Sequence, residues 1–67
     1  MKQESEEFWQ AEPDEMPGPS SRVAQRHSTR EEAETEARAK GYKFVARYQR
    51  KPGEFIRRAY PLRPAGR

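Results

Sequence analysis

Sixty-seven residues allow one small domain with a thin core, because a chain this short buries only about 60% of the surface it exposes when unfolded. The composition is 31% hydrophobic and 37% charged, with mean hydropathy −1.40. There is no cysteine, so neither a disulfide framework nor a thiolate metal site reinforces that core. No apolar run approaches the ~18 residues of a membrane span, and the opening MKQESEEFWQ lacks the apolar stretch of a signal peptide. These features point to a cytoplasmic protein with no membrane partner.

The net charge of +3 conceals a division along the chain. Met1 to Ser21 holds one base against six acids, a net −5, and Arg22 to Arg67 holds thirteen bases against five acids, a net +8. An acidic arm is joined to a basic body, which is an argument about partners and steering rather than about fold.

Residues 1–21 read as an acidic, proline-rich, flexible arm. Met16-Pro17-Gly18-Pro19-Ser20-Ser21 has no helical or alternating pattern and reads as a linker, which puts a boundary near residue 21. Within the arm, Phe8 and Trp9 stand between Glu6-Glu7 and Glu12, in a segment otherwise too acidic to collapse. Two uses present themselves: they fold back and cap the small core of the body, or they dock on another protein as a linear motif.

The body, residues 22–62, opens on Arg22–His27, a short alternating run read as a strand. The strongest local signal follows. Ser28 or Thr29 supplies an N-cap with Glu31 or Glu32 three residues on, acids fill the first turns, Arg38 and Lys40 fill the last, and Gly41 stops the helix. Glu34 with Arg38 and Glu36 with Lys40 are i,i+4 pairs in the favourable order. The apolar stripe is only Ala33, Ala37 and Ala39, so the large side chains must come from the sheet beneath.

Tyr42–Gln49 supplies them as a half-buried strand, with Tyr42, Phe44, Ala46 and Tyr48 expected to face the helix. Phe55–Tyr60 forms a second strand, and Lys51-Pro52-Gly53-Glu54 joins the two into a hairpin. A type II turn on Pro52-Gly53 would pair Lys51 with Glu54 and set Arg47 opposite Arg58. Pairing Arg50 with Glu54 would instead place Ile56 beside Tyr48 and Tyr60 beside Phe44. Burial is worth roughly 1.5–3 kcal/mol per side chain, more than a turn preference, so the second register is expected, with a bulged loop. Pro61 ends the strand, and residues 63–67 read as a basic tail. The fold class is therefore α+β: a β-α-β-β body of one helix on a two- or three-stranded sheet, preceded by a disordered acidic arm.

The inventory for catalysis is poor, with one histidine, no cysteine and acids confined to the arm, a solvated helix and a turn. No catalytic residue, cofactor or metal site is expected: His27 is read as a surface or turn histidine, and neither Ser20 nor Ser21 has a base beside it in sequence. The run Lys40–Arg47 resembles the strand signature of RNA-recognition-motif domains at six of eight positions. Lys43 and Arg47 depart from that signature, and a helix stop occupies its glycine, so no family is assigned.

The suggestive constellation is basic. Lys43, Arg47, Arg50, Lys51, Arg57 and Arg58 lie on the predicted hairpin, interleaved with Tyr42, Phe44, Tyr48, Phe55 and Tyr60. Cations on a sheet can contact phosphates while aromatics stack on bases. The plain alternative is a charged face that only keeps an aromatic-rich domain in solution. The expectation is a non-enzymatic binding module for nucleic acid or a nucleic-acid-processing protein, with a homodimer as a way to enlarge the core. The runner-up is a small phage-type inhibitor or adaptor that blocks a host polymerase or nuclease through protein contacts, with Phe8 and Trp9 as docking residues.

Overall fold

The computed structural model describes residues 5–64; residues 1–4 of the expected arm and 65–67 of the expected tail lie outside them. The chain runs through strand β1 (Glu6–Glu12), a short helix α1 (Pro19–Val23), helix α2 (Arg30–Lys40), strand β2 (Phe44–Lys51) and strand β3 (Glu54–Pro61). The three strands form one antiparallel sheet in the order β1-β2-β3. The α+β class stands.

The first strand is not where the sequence pattern put it. Glu6–Glu12, expected within a disordered arm, pairs with the whole length of β2, from Glu6 opposite Arg50 to Glu12 opposite Phe44. Arg22–His27, expected as the strand, is split between the end of α1 and an extended segment that makes one bridge to β1. The Trp9 and His27 main chains exchange two hydrogen bonds of 2.8 Å there. Pro19 suits the first turn of a helix, where its missing N–H costs nothing. The Ser21 hydroxyl then holds that turn on Glu12 at 2.6 Å. The expected boundary at residue 21 therefore falls inside α1.

Helix α2 follows its sequence signals. The Thr29 side chain accepts from the Glu32 N–H at 3.2 Å. Gly41, at φ +77°, closes the far end by donating to the Ala37 and Arg38 carbonyls, a left-handed cap that favours glycine. Ala33 and Ala37 are fully buried against the sheet, while Ala39 is exposed.

The sheet face under α2 is the opposite of the expected one. Val45 and Ala11 pack with Ala33 and Ala37, and Trp9, Tyr42, Tyr60 and Leu62 close around them. Phe44, Ala46 and Tyr48 look the other way, where Phe8 stacks on Tyr48 with ring centres 5.0 Å apart and planes 12° apart. A central strand between two partners has both faces partly covered, so its alternation marks two faces without saying which one the helix takes.

The hairpin register is also corrected: Lys51 pairs with Glu54, Arg47 with Arg58 and Gln49 with Ile56. Gly53 has φ +77°, the left-handed position that a Pro-Gly type II turn requires. Burial did not separate the registers. Tyr60 still reaches the core, 5.7 Å from Trp9, and Ile56 is half-buried. The repulsion of Arg47 and Arg58 is offset by Glu7, which holds Arg47 at 2.7 Å.

Candidate functional site

The pairing fixes where the six predicted basic residues stand. Residues directly opposite one another share a sheet face, so Arg47, Lys51 and Arg58 lie on the α2 side and Arg50 and Arg57 on the other, with Lys43 just before β2. The cations of the hairpin therefore do not form one continuous face. What divides them is the strict alternation of two adjacent strands carrying Arg57 and Arg58 side by side.

Acids of β1 neutralise half of the set. Glu6 lies 3.3 Å from Arg50, Glu7 2.7 Å from Arg47, and Glu12 3.6 Å from Arg57. Lys43, Lys51 and Arg58 are exposed and form no ion pair among the described residues. Phe55 is 58% exposed, directly opposite Arg50 near the turn. The turn end of the hairpin thus carries free positive charge on the α2 side and, on the other, a partly exposed ring that leans on Tyr48 with ring centres 5.9 Å apart.

Phe8 and Trp9, predicted as docking residues, occupy opposite faces of β1. Phe8 is buried, with the Arg26 guanidinium 4.2 Å from its ring centre, and Trp9 packs at the edge of the α2 core. The capping use describes these positions.

A polar cluster beneath α1 escaped the sequence reading. Glu12 is fully buried and accepts from Ser21 Oγ at 2.6 Å, Tyr48 Oη at 2.9 Å and Gln10 Nε2 at 3.1 Å. Arg57 Nε donates to the Tyr48 oxygen at 3.2 Å, and its Nη1 donates to the Glu15 carbonyl at 2.9 Å. Its Nη2 is buried with no hydrogen-bond partner. Burial lifts the Tyr48 phenol above its ordinary value; Arg57 opposes that shift and Glu12 adds to it. The signal was present as Phe8, Gln10 and Glu12 alternating inward, but the acidity of the segment read as solvation.

Two further carboxylates organise the other side. Glu34, almost fully buried, gathers Arg30, Arg38 and Arg63 at 3.2, 3.8 and 3.0 Å, and also accepts from the Arg63 main-chain N–H at 3.1 Å. This ties the residues after β3 to α2. The Arg63 side chain holds the Glu34 carboxyl down at about 2. Glu36 binds His27 Nε2 at 2.5 Å and Lys40 at 2.6 Å, and His27, then Lys40, draws its carboxyl below the usual range. His27 is thus a fastener between the segment beside β1 and α2.

These shifts have a consequence for acid stability. A carboxyl whose folded pKa is depressed contributes stability above its unfolded value of 4.5, and that contribution is lost as pH falls towards the folded value. Urea midpoints should therefore fall between about pH 4.5 and 2, with Glu34 accounting for on the order of 2–3 kcal/mol. In Glu34→Gln most of that slope should vanish, leaving a lower and flatter profile.

Among the described residues no group of three His, Asp or Glu side chains is placed to hold a metal ion, and no helix is long and apolar enough to cross a membrane. The arrangement offers cations, an exposed aromatic and an open strand edge. These are contacts for a polyanion or another chain. No family model, no curated protein and no solved structure matches the chain.

Proposed function

We propose that the chain is a non-enzymatic binding module that attaches to nucleic acid through the turn end of the β2–β3 hairpin. The observation that supports this most is the unequal pairing of charge along the hairpin. Arg47, Arg50 and Arg57 are answered by Glu7, Glu6 and Glu12, while Lys51 and Arg58 are left unpaired beside the half-buried Ile56 on the α2 face, and the exposed Phe55 stands on the other face of the same turn end. Free cations of this kind release condensed counterions when they meet phosphates. Phe55 adds a surface on which an unpaired base can stack.

The acids of β1 give this module an internal competitor. The Glu6–Arg50 and Glu7–Arg47 pairs lie at the surface, with side chains about one-third to one-half exposed, where such pairs contribute roughly 0–1 kcal/mol to stability. They nevertheless occupy two guanidinium groups that would otherwise be available to phosphate. Weak, non-specific anions are excluded, and a partner that fits the hairpin displaces the carboxylates.

Fluorescence anisotropy with labelled single- and double-stranded oligonucleotides tests both halves. Lys51→Ala/Arg58→Ala should weaken binding across sequences and flatten the plot of log affinity against log salt by about 2. Glu6→Gln/Glu7→Gln should leave the fold intact, tighten binding and steepen the same plot. Absence of binding to every probe at low salt would remove the nucleic-acid reading.

A further inference from the structure

The two edges of the sheet are treated differently. The outer edge of β1 is met by His27 through its backbone bridge to Trp9, and the end of β3 is covered where Arg30 Nη2 donates to the Pro61 carbonyl at 3.2 Å. Between the turn and that cap, the outward side of β3 takes no backbone partner among the described residues. Helix α2 packs over β1 and β2 and reaches only the Tyr60–Pro61 end of β3. A row of unpaired N–H and C=O groups is a template for another strand.

The hairpin determines which groups point outward. Lys51 and Glu54 flank the two-residue turn, so they form a hydrogen-bonded pair, and by alternation the main chains of Ile56 and Arg58 also face β2. Those of Phe55, Arg57 and Ala59 face out. Two such edges can meet only with outward residues opposite outward residues, so the possible two-fold centres are few. Centring on Arg57 or on Arg58 sets two identical arginines opposite each other. Centring on Phe55 leaves Glu54 facing Ile56 and Arg58 facing Pro52. Centring on Ile56 places Glu54 opposite Arg58 twice by symmetry, and sets each exposed Phe55 against the stem of Arg57.

We infer that β3 pairs with β3 of a second copy of this chain, antiparallel about Ile56, so that two three-stranded sheets become one continuous sheet. The occupant is chosen by charge: cross-strand Glu–Arg pairs stabilise and Arg–Arg pairs repel, so the Ile56 register is favoured over the Arg57 and Arg58 registers, which repel, and over the Phe55 register, which gains no ion pair. Both copies of α2 then lie on the same face; Arg58 and Phe55 are engaged across the seam, so that self-association competes with any phosphate contact made by Arg58, while Lys51 stays free on each turn. The inference goes beyond the proposed function and does not rest on it, since its test contains no nucleic acid.

Sedimentation equilibrium of the full chain over a wide concentration range should show the mass rising from 7.9 kDa towards twice that value. Glu54→Arg alone, or Arg58→Glu alone, should weaken self-association by about tenfold or more. Combining both reversals in one chain should restore it. Mixing the two single variants should also restore it, because each then supplies the charge the other lacks; unfolded chains could not give that recovery. A chain that stays monomeric at every concentration, or a dimer indifferent to both reversals, overturns the inference.

Discussion

A chain beginning at Ser20 should not fold. Removing β1 takes away the Phe8 ring that stacks on Tyr48 at 5.0 Å, strips Ala11 and Trp9 from the cluster around Val45, and turns the central strand into an edge. What remains is a two-stranded hairpin beside an alanine-faced helix, and an isolated hairpin is marginal at best in water. Phe8→Ala alone should cost about 3–5 kcal/mol, comparable to the whole stability a core of this size supplies. Far-UV circular dichroism through a thermal ramp reads both: the truncated chain should show no cooperative transition. An unchanged melting midpoint would mean that the arm caps nothing.

That expectation marks where the sequence was legible and where it was not. Helix α2 could be read because its information is local: Thr29 caps, Gly41 stops, and Glu34 and Glu36 stand four residues before Arg38 and Lys40. The hairpin was legible for the same reason, and its turn residues specified the register more firmly than the burial of Ile56 and Tyr60 did. Strand β1 was hidden because its stabilisation is non-local. Glu6, Glu7 and Glu12 look like solvating charge until Arg50, Arg47 and Arg57 are brought within reach of them by the fold. The same non-locality concealed that half of the candidate basic residues are already paired. Glu34 had left a trace, with Arg30 and Arg38 four residues to either side, but nothing in the pattern showed Arg63 completing the group.

Replacing the buried carboxylate should be nearly as damaging as losing the strand. Glu12→Ala removes the acceptor for Ser21, Tyr48 and Gln10 and leaves the Arg57 guanidinium, 15% exposed, without its counter-charge. Removing one partner of a buried ion pair typically costs 3–5 kcal/mol, because the other charge stays desolvated and uncompensated. Replacing both by apolar groups of similar size is much less costly. Glu12→Ala should therefore lower the urea midpoint to the point where the folded baseline is lost, and Glu12→Leu/Arg57→Leu should recover a large part of the difference. A double variant no better than Glu12→Ala would place the cost in the bonds to Ser21 and Tyr48 rather than in the stranded arginine.

The central claim is that β1 acts as counter-charge to Arg47, Arg50 and Arg57 of a basic hairpin and leaves Lys51 and Arg58 free for nucleic acid. Its most direct test is an amide-resolved NMR titration of the intact chain with a short oligonucleotide at low salt. Shift changes should concentrate on Lys51 to Arg58, extend to Arg47 and Arg50 only in Glu6→Gln/Glu7→Gln, and collapse as salt is raised. Changes confined to the His27 and Glu36 side of α2, or none at any oligonucleotide concentration, would contradict it.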